Sequence, residues 1–189
     1  MIVHLTSSRT NVVEDISTLR TIIGAIHENG HVLARDWIEP YFHIAVTNKA
    51  NDMDPVQVYK LNVEAIEKAD VMIIEASYKS FGSGFQVATA INKKTPTLML
   101  IKDGTENEST FSQGLRDPLI QRKVYNDKSL RQIVDNFLDD NNLSGKDLRF
   151  NFVIDRQLYN HLRWKSFKSH KTKGELVREL LLKDMEEST

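Results

Sequence analysis

The sequence predicts an α/β protein: a doubly wound parallel sheet followed by a small β-α-α module. Three observations predict it. Val71, Met72, Ile73 and Ile74 form an unbroken apolar run, as a central parallel strand covered on both faces requires. Short apolar runs alternate along the chain with stretches of helical periodicity. The charge balance changes near residue 145: residues 146–189 hold ten Lys/Arg and seven Asp/Glu, which leaves 15 and 19 of the chain's 25 and 26 to residues 1–145.

Residues 2–7 (IVHLTS) read as a buried strand, and the polar stretch 7–11 as a turn. Leu19, Ile22, Ile23 and Ile26 recur at helical spacing, and Gly30 stands where a helix-ending glycine belongs. Residues 31–38 read as a second strand that Pro40 ends, and 41–53 as irregular, either a lid or a plain loop. Asp54 before Pro55 is an N-cap followed by proline at the first helical position. That helix runs to about Lys68 and carries Val58, Asn62, Ala65, Ile66 and Ala69 on its inner face. After the strand at 71–74 comes a tight turn at 80–84. A helix follows from near Gly84, with Val87, Ala90 and Ile91 as its packing face. Residues 97–101 are a further buried strand, 103–121 read as loop, and 123–125 as a short strand. Leu130, Ile133, Val134, Phe137 and Leu138 mark an amphipathic helix.

The polar stretch 139–145 suggests a boundary, giving a domain at 1–140, a linker at 141–148 and a module at 149–189. In the module, residues 149–154 read as a strand with Phe150, Phe152 and Ile154 on one face. Asp155 caps a helix carrying Leu158, Leu162, Trp164 and Phe167. Thr172 to Glu175 match a capping box that opens a second helix with Leu176, Val177, Leu180 and Leu181. One strand and two short helices cannot close a core alone, so a second copy is expected to complete it.

Composition narrows the function classes. With 40% hydrophobic and 27% charged residues, and only 8 Gly and 4 Pro, the chain is ordinary globular material. Zero cysteines exclude a disulfide framework, a zinc-thiolate site and a cysteine nucleophile. His27, His31, His43, His161 and His170 show no metal-ligand spacing, so neither metal nor cofactor is expected. No apolar run approaches a membrane span, and the N-terminus lacks the pattern of a secretory signal, so a cytoplasmic protein without membrane partners is expected. The basic segment 149–183 suits either a polyanion partner or a solvated helical surface.

The strand, helix, cap and Glu175–Leu180 pattern of residues 149–186 resembles the ribbon-helix-helix family of dimeric DNA-binding modules. The resemblance implies that strands from two chains pair in the major groove. Arg149, Asn151 and Val153 then face bases, and the backbone around Lys171, Thr172, Lys173 and Gly174 holds a phosphate. His170 stands where that family usually has glycine, and Lys173 where it usually has an apolar residue. The other open readings are a module that only dimerises and an unrelated strand-helix-helix appendage.

Residues 69–86, with Ser80-Phe81-Gly82-Ser83-Gly84-Phe85-Gln86 after the buried strand, resemble the nucleoside 2-deoxyribosyltransferase family. The similarity is greatest to its branch of 2′-deoxynucleoside 5′-phosphate N-hydrolases. The resemblance implies a Rossmann-like fold, a dimer, and cleavage of an N-glycosidic bond. It places the family's key glutamate at Gln86, its helix aspartate at Asn62 and its first-strand tyrosine at His4. An amide is isosteric with a carboxylate, but it offers neither the negative charge nor the nucleophile that an oxocarbenium-like centre demands. The binding parts stay in place: Ser80, Gly82, Ser83 and Gly84 at a helix start suited to an anion, and the hydroxyls of Thr6 and Ser7. Glu75, at the C-terminal end of the central strand, reads as a ligand contact, a replacement acid or a satisfied structural carboxylate.

Two functions are therefore expected. The first is a nucleoside- or nucleotide-binding domain without the family's chemistry, fused to a DNA-binding homo-oligomer module, hence a ligand-linked regulator. The second is an active N-glycosidase or 2-deoxyribosyltransferase, in an anti-phage or toxin–antitoxin setting.

Overall fold

The computed structural model describes residues 1–47, 54–105, 113–142 and 153–187, and the chain divides into two compact units, Met1–Ser144 and Gly145–Thr189. In the first unit, strands β1 (Ile2–Ser7), β2 (Val32–Leu33), β3 (Val71–Glu75), β4 (Thr97–Lys102) and β5 (Ile120–Tyr125) form one parallel sheet. Their order is β2-β1-β3-β4-β5. The order reverses between β1 and β3, and open α/β sheets bind ligands at that switch, beyond the carboxyl ends of the strands. Ser7 and Glu75 are register partners at this edge.

The helices lying wholly within the described residues that flank the sheet are α1 (Arg9–Glu14), α2 (Ile16–Glu28), α3 (Ile38–Val46), α4 (Pro55–Lys68), α5 (Phe81–Lys93) and α6 (Leu130–Asn141). Strand alternation divides the core in two. Val3, Leu5, Val71, Ile73, Leu98 and Leu100 face a cluster with α2 and α6, whereas Met72, Ile74, Met99 and Ile101 face α4 and α5. By the same alternation His4 and Thr6 point to the α4–α5 side, and Glu75 shares the α2–α6 side with Ile73. Gly30 follows the C-cap of α2 at φ 74°, a left-handed conformation that glycine adopts without strain.

Several boundaries differ from the sequence expectation. The second strand is only Val32–Leu33, because the chain turns at Arg35 to Trp37 and enters α3. Pro40 lies in the first turn of α3, where a missing N–H costs nothing, so it does not end a strand, and residues 41–46 are helical rather than irregular. Residues 48–53 lie outside the described residues. The expected turn at 7–11 is the start of α1, with Ser8 as its N-cap. Helix α5 begins at Phe81, not Gly84, because the Ser80 side chain accepts from the Ser83 amide. Strand β5 begins at Ile120, three residues before the expected start.

The second unit contains helices α7 (Arg156–Ser169) and α8 (Lys173–Glu187), which pack on each other. Asp155 caps α7 through the Leu158 amide. The capping box forms in both directions: Thr172 N donates to Glu175 Oε2 at 2.7 Å and Glu175 N to Thr172 Oγ1 at 3.2 Å. His170, the C-cap of α7, is left-handed at φ 55°, an uncommon conformation for a residue other than glycine. The expected strand lies largely in 143–152, outside the described residues, as do Arg149 and Asn151 and the core of the expected linker. Val153 and Ile154 are not in a strand in the single chain. Among the described residues, no helix is long and apolar enough to cross a membrane.

Candidate functional site

A cavity of about 480 Å³ opens at the switch between β1 and β3. Each wall follows from the sequence. The end of β1 and the start of α1 contribute Thr6, Ser7, Ser8, Arg9 and Thr10. The bend after β2 contributes Arg35, Asp36 and Trp37, α3 contributes Pro40, Tyr41 and Ile44, and α4 contributes Val58 and Asn62. The start of α5 contributes Lys79, Ser80, Gly82, Ser83 and Gln86.

Of the three positions at which the sequence departs from the deoxyribosyltransferase pattern, Gln86 and Asn62 line this cavity, and His4 is buried against Gln86 without lining it. His4 Nε2 donates to Gln86 Oε1 at 2.7 Å, in a fully buried contact between β1 and α5. Burial pushes the His4 pKa below its usual value; the Gln86 bond opposes this and the field of Arg35 adds to it. His4 is therefore neutral, with its proton on Nε2, and its buried Nδ1 has no partner. Asn62 Oδ1 accepts from Arg35 Nη1 at 2.7 Å. Burial lowers the Arg35 pKa, and among the described residues no carboxylate forms an ion pair with it.

At the other side of the cavity lies the first turn of α5. Ser80 Oγ accepts from Ser83 N at 3.3 Å, while Ser83 Oγ is buried without a hydrogen-bond partner. A Cβ at Gly82 would meet Ser80 Oγ at 3.8 Å, an ordinary van der Waals contact. Gly84 instead lines a second cavity of about 560 Å³ where α5 meets the sheet, walled mainly by Ile74, Val87, Ile91, Met99 and Leu115. Ser80, Ser83 and Lys79 border both.

Glu75 is placed elsewhere. It is 1% exposed, lines neither cavity, and lies on the opposite face of the sheet from Gln86. Asn11 Nδ2 and Ser77 Oγ donate to its carboxylate, as does Tyr125 OH at 2.9 Å. Burial raises its pKa and the Ser77 and Tyr125 donors lower it, with the rise prevailing. Of the three sequence readings, the geometry is that of a satisfied structural carboxylate.

Residues that sequence reasoning missed are Arg35, Asp36, Trp37 and Tyr41, with Arg9 and Lys79. The residue types are present in the sequence, but the bend that gathers Arg35, Asp36 and Trp37 follows a strand of only two residues and shows only in the fold, at the end of the sheet where open sheets bind. Trp37 Nε1 donates to Leu5 O at 2.9 Å, its ring lies 6.1 Å from that of Tyr41, and the Arg9 guanidinium stacks over Tyr41 at 5.5 Å. Among the described residues, no group of acidic or histidine side chains is placed to hold a metal.

In the second unit, Lys171 Nζ bonds Glu179, and Lys173 Nζ donates to Tyr159 OH at 3.1 Å while lying 4.3 Å above its ring. Thr172 is engaged in the capping box, and Val153 is fully exposed.

A doubly wound parallel α/β domain with a polar crevice at its switch point is the class that fold and site define. The CMP N-glycosidase of Clostridium botulinum shares the fold, with a TM-score of 0.52 over 73% of this chain and all of that one, at 19% identity. In sequence the chain is similar to two proteins named 2′-deoxynucleoside 5′-phosphate N-hydrolase. The one from Thermofilum pendens is 25% identical over 115 residues, 59% of this chain and 76% of that protein. The one from Methanosarcina mazei is 27% identical over 125 residues, 65% of this chain and 74% of that protein. The first unit is thus similar in sequence to proteins of that name and in fold to that N-glycosidase. No family model matches the chain.

Proposed function

We propose that the first unit binds a nucleoside or nucleotide in the crevice cavity without cleaving its glycosidic bond. The second unit then pairs with a second copy to grip DNA, which makes the protein a ligand-linked regulator. The observation that carries the reading is that both carboxylate positions are amides held by neighbours: Gln86 by His4, Asn62 by Arg35. A developing positive charge at the sugar gains about 4 kcal/mol from a carboxylate 4 Å away at an effective dielectric of 20. Losing it costs about a thousandfold in rate. Gln86 and Asn62 cannot supply it, and Arg35 beside them adds repulsion.

Binding keeps its supports. The amides of α5 and the Ser80 and Ser83 hydroxyls suit a phosphate, and Trp37 with Tyr41 offers an aromatic wall. The test is to titrate the protein with ribo- and deoxyribonucleoside 5′-monophosphates by calorimetry and then chromatograph the mixtures. Saturable binding with intact nucleotide is expected; free base overturns the reading. Retained glycosidase chemistry, the alternative suggested by the relatives' names, needs an acid on the cavity wall. Among the described residues Asp36 is the one carboxylate there, and it is exposed, so base release that stops in Asp36→Asn would establish that alternative.

For the second unit, the support is the basic surplus of 149–183 together with helices that bury only Leu176 and expose Trp164, Phe167, Leu180 and Leu181. A gel shift with the DNA upstream of the protein's own reading frame tests it. Retention that is lost in Arg149→Ala and Asn151→Ala is expected; retention unaffected by both contradicts ribbon readout.

A further inference from the structure

We propose that the crevice cavity is built for a ribose-type ligand with two separated anionic groups, one at the α5 turn and one on the floor formed by Arg35, Asn62 and Gln86. The proposal deepens the ligand-binding reading above and rests on it.

The floor is the reason. Arg35 is half-buried, and its described partner is a neutral amide oxygen. A desolvated guanidinium without a counterion is costly unless a ligand supplies one. Gln86 turns Oε1 toward His4, which leaves its amide nitrogen as the group free for a ligand. The floor therefore presents donors and a positive charge where a sugar-cleaving site would present carboxylates. The opposite end is also anion-ready: Ser83 Oγ is buried without a partner in the first turn of a 13-residue helix. Both ends belong to one cavity of about 480 Å³. Among the described residues its wall carries the cations Arg9, Arg35 and Lys79 against the single carboxylate of Asp36, which is exposed. A monophosphate satisfies one end and leaves Arg35 uncompensated; a bis-anionic sugar satisfies both.

The probes are 5-phosphoribosyl 1-pyrophosphate, ribose 5-phosphate and inorganic pyrophosphate, titrated calorimetrically into the full chain without divalent cations. The bis-anionic sugar is expected to bind at least about tenfold tighter than either of the others, a gap of about 1.4 kcal/mol. Asn62→Asp gives Arg35 an internal counterion at constant shape, and Arg35→Met removes the charge. Each is expected to shrink the ratio between the two sugars to about threefold or less, with melting curves confirming that both variants fold. Equal affinity for the two sugars in the unaltered protein overturns the proposal and leaves the pocket reading standing. A preference that persists in both variants overturns it as well, as does pyrophosphate binding as tightly as the bis-anionic sugar. Failure of every phosphorylated probe, nucleotides included, overturns the pocket reading itself.

Discussion

His4 Nε2 donates a 2.7 Å hydrogen bond to Gln86 Oε1, joining the first strand to the α5 helix inside the protein. Both residues are departures from the deoxyribosyltransferase pattern, and they are each other's partner. A neutral imidazole donor suits an amide oxygen, and the pair needs no counterion in a site that burial makes hostile to charge. Replacing one partner alone strands the other. His4→Phe is expected to cost about 1–3 kcal/mol in chemical denaturation, the penalty of an unsatisfied buried polar group.

The same pair makes a spectroscopic prediction. Burial lowers the His4 pKa, so His4 is expected to remain the neutral Nε2–H tautomer as pH falls through 6.5, read by long-range nitrogen–proton NMR. Protons then bind the unfolded chain first, so this residue's contribution to stability is full above pH 6.5 and is lost as pH falls toward its depressed folded value. In Gln86→Glu the new carboxylate raises the His4 pKa. A His4 that titrates at or above 6.5 in the unaltered protein contradicts the assignment.

Ser80 and Ser83 separate stability from binding. Ser80 caps α5, so Ser80→Ala is expected to lose about 1 kcal/mol of stability. Ser83 Oγ has no partner, so Ser83→Ala is expected to leave stability unchanged within about 0.5 kcal/mol. Both are expected to weaken nucleotide monophosphate binding severalfold. Thermal melting beside calorimetry checks this, and unchanged affinity in Ser83→Ala removes that hydroxyl from the phosphate seat.

Glu75 tests the sheet-face argument. Its pKa is raised by burial, so its contribution to stability is full below the unfolded value and is lost as pH rises through the folded one. Relative to Glu75→Gln, the unaltered protein is expected to lose stability as pH rises above about 4.5, the ordinary glutamate value. Nucleotide affinity is expected to be the same in both, because Glu75 faces away from the cavity. A tenfold loss of affinity in Glu75→Gln would return this residue to the site.

The exposed apolar residues of α7 and α8 predict association. Trp164 is 54%, Phe167 82% and Leu180 52% exposed in the single chain. Two helices with one buried leucine cannot hold themselves against chain entropy. Light scattering at micromolar concentration is expected to give a dimer or larger, and Phe167→Glu to weaken it. A monomer contradicts the paired-module reading.

Much of this was legible in the residues. The apolar run of β3, the Asp54 cap, the amphipathic α6 and the capping box at Thr172 are local signals, and local chemistry decides them. The bend at Arg35 was not legible, because β-favouring residues on either side mask a strand only two residues long at the sheet edge. Gln86 and Asn62 could be marked as departures, but their new partners lie 82 and 27 residues away in sequence. Only the folded sheet brings His4 under Gln86 and Arg35 beside Asn62. The displacement of Glu75 follows from strand alternation, which needs the register of β3 against β1 to be known.

Whether the cavity binds without cutting is tested most directly by a single-turnover experiment. Protein in molar excess is incubated overnight with radiolabelled deoxynucleoside 5′-monophosphate and resolved chromatographically, after calorimetry has confirmed that the nucleotide is bound. Intact nucleotide recovered from the complex is the expected result, because neither Gln86 nor Asn62 can carry the charge that cleavage needs. Stoichiometric release of free base would contradict the account.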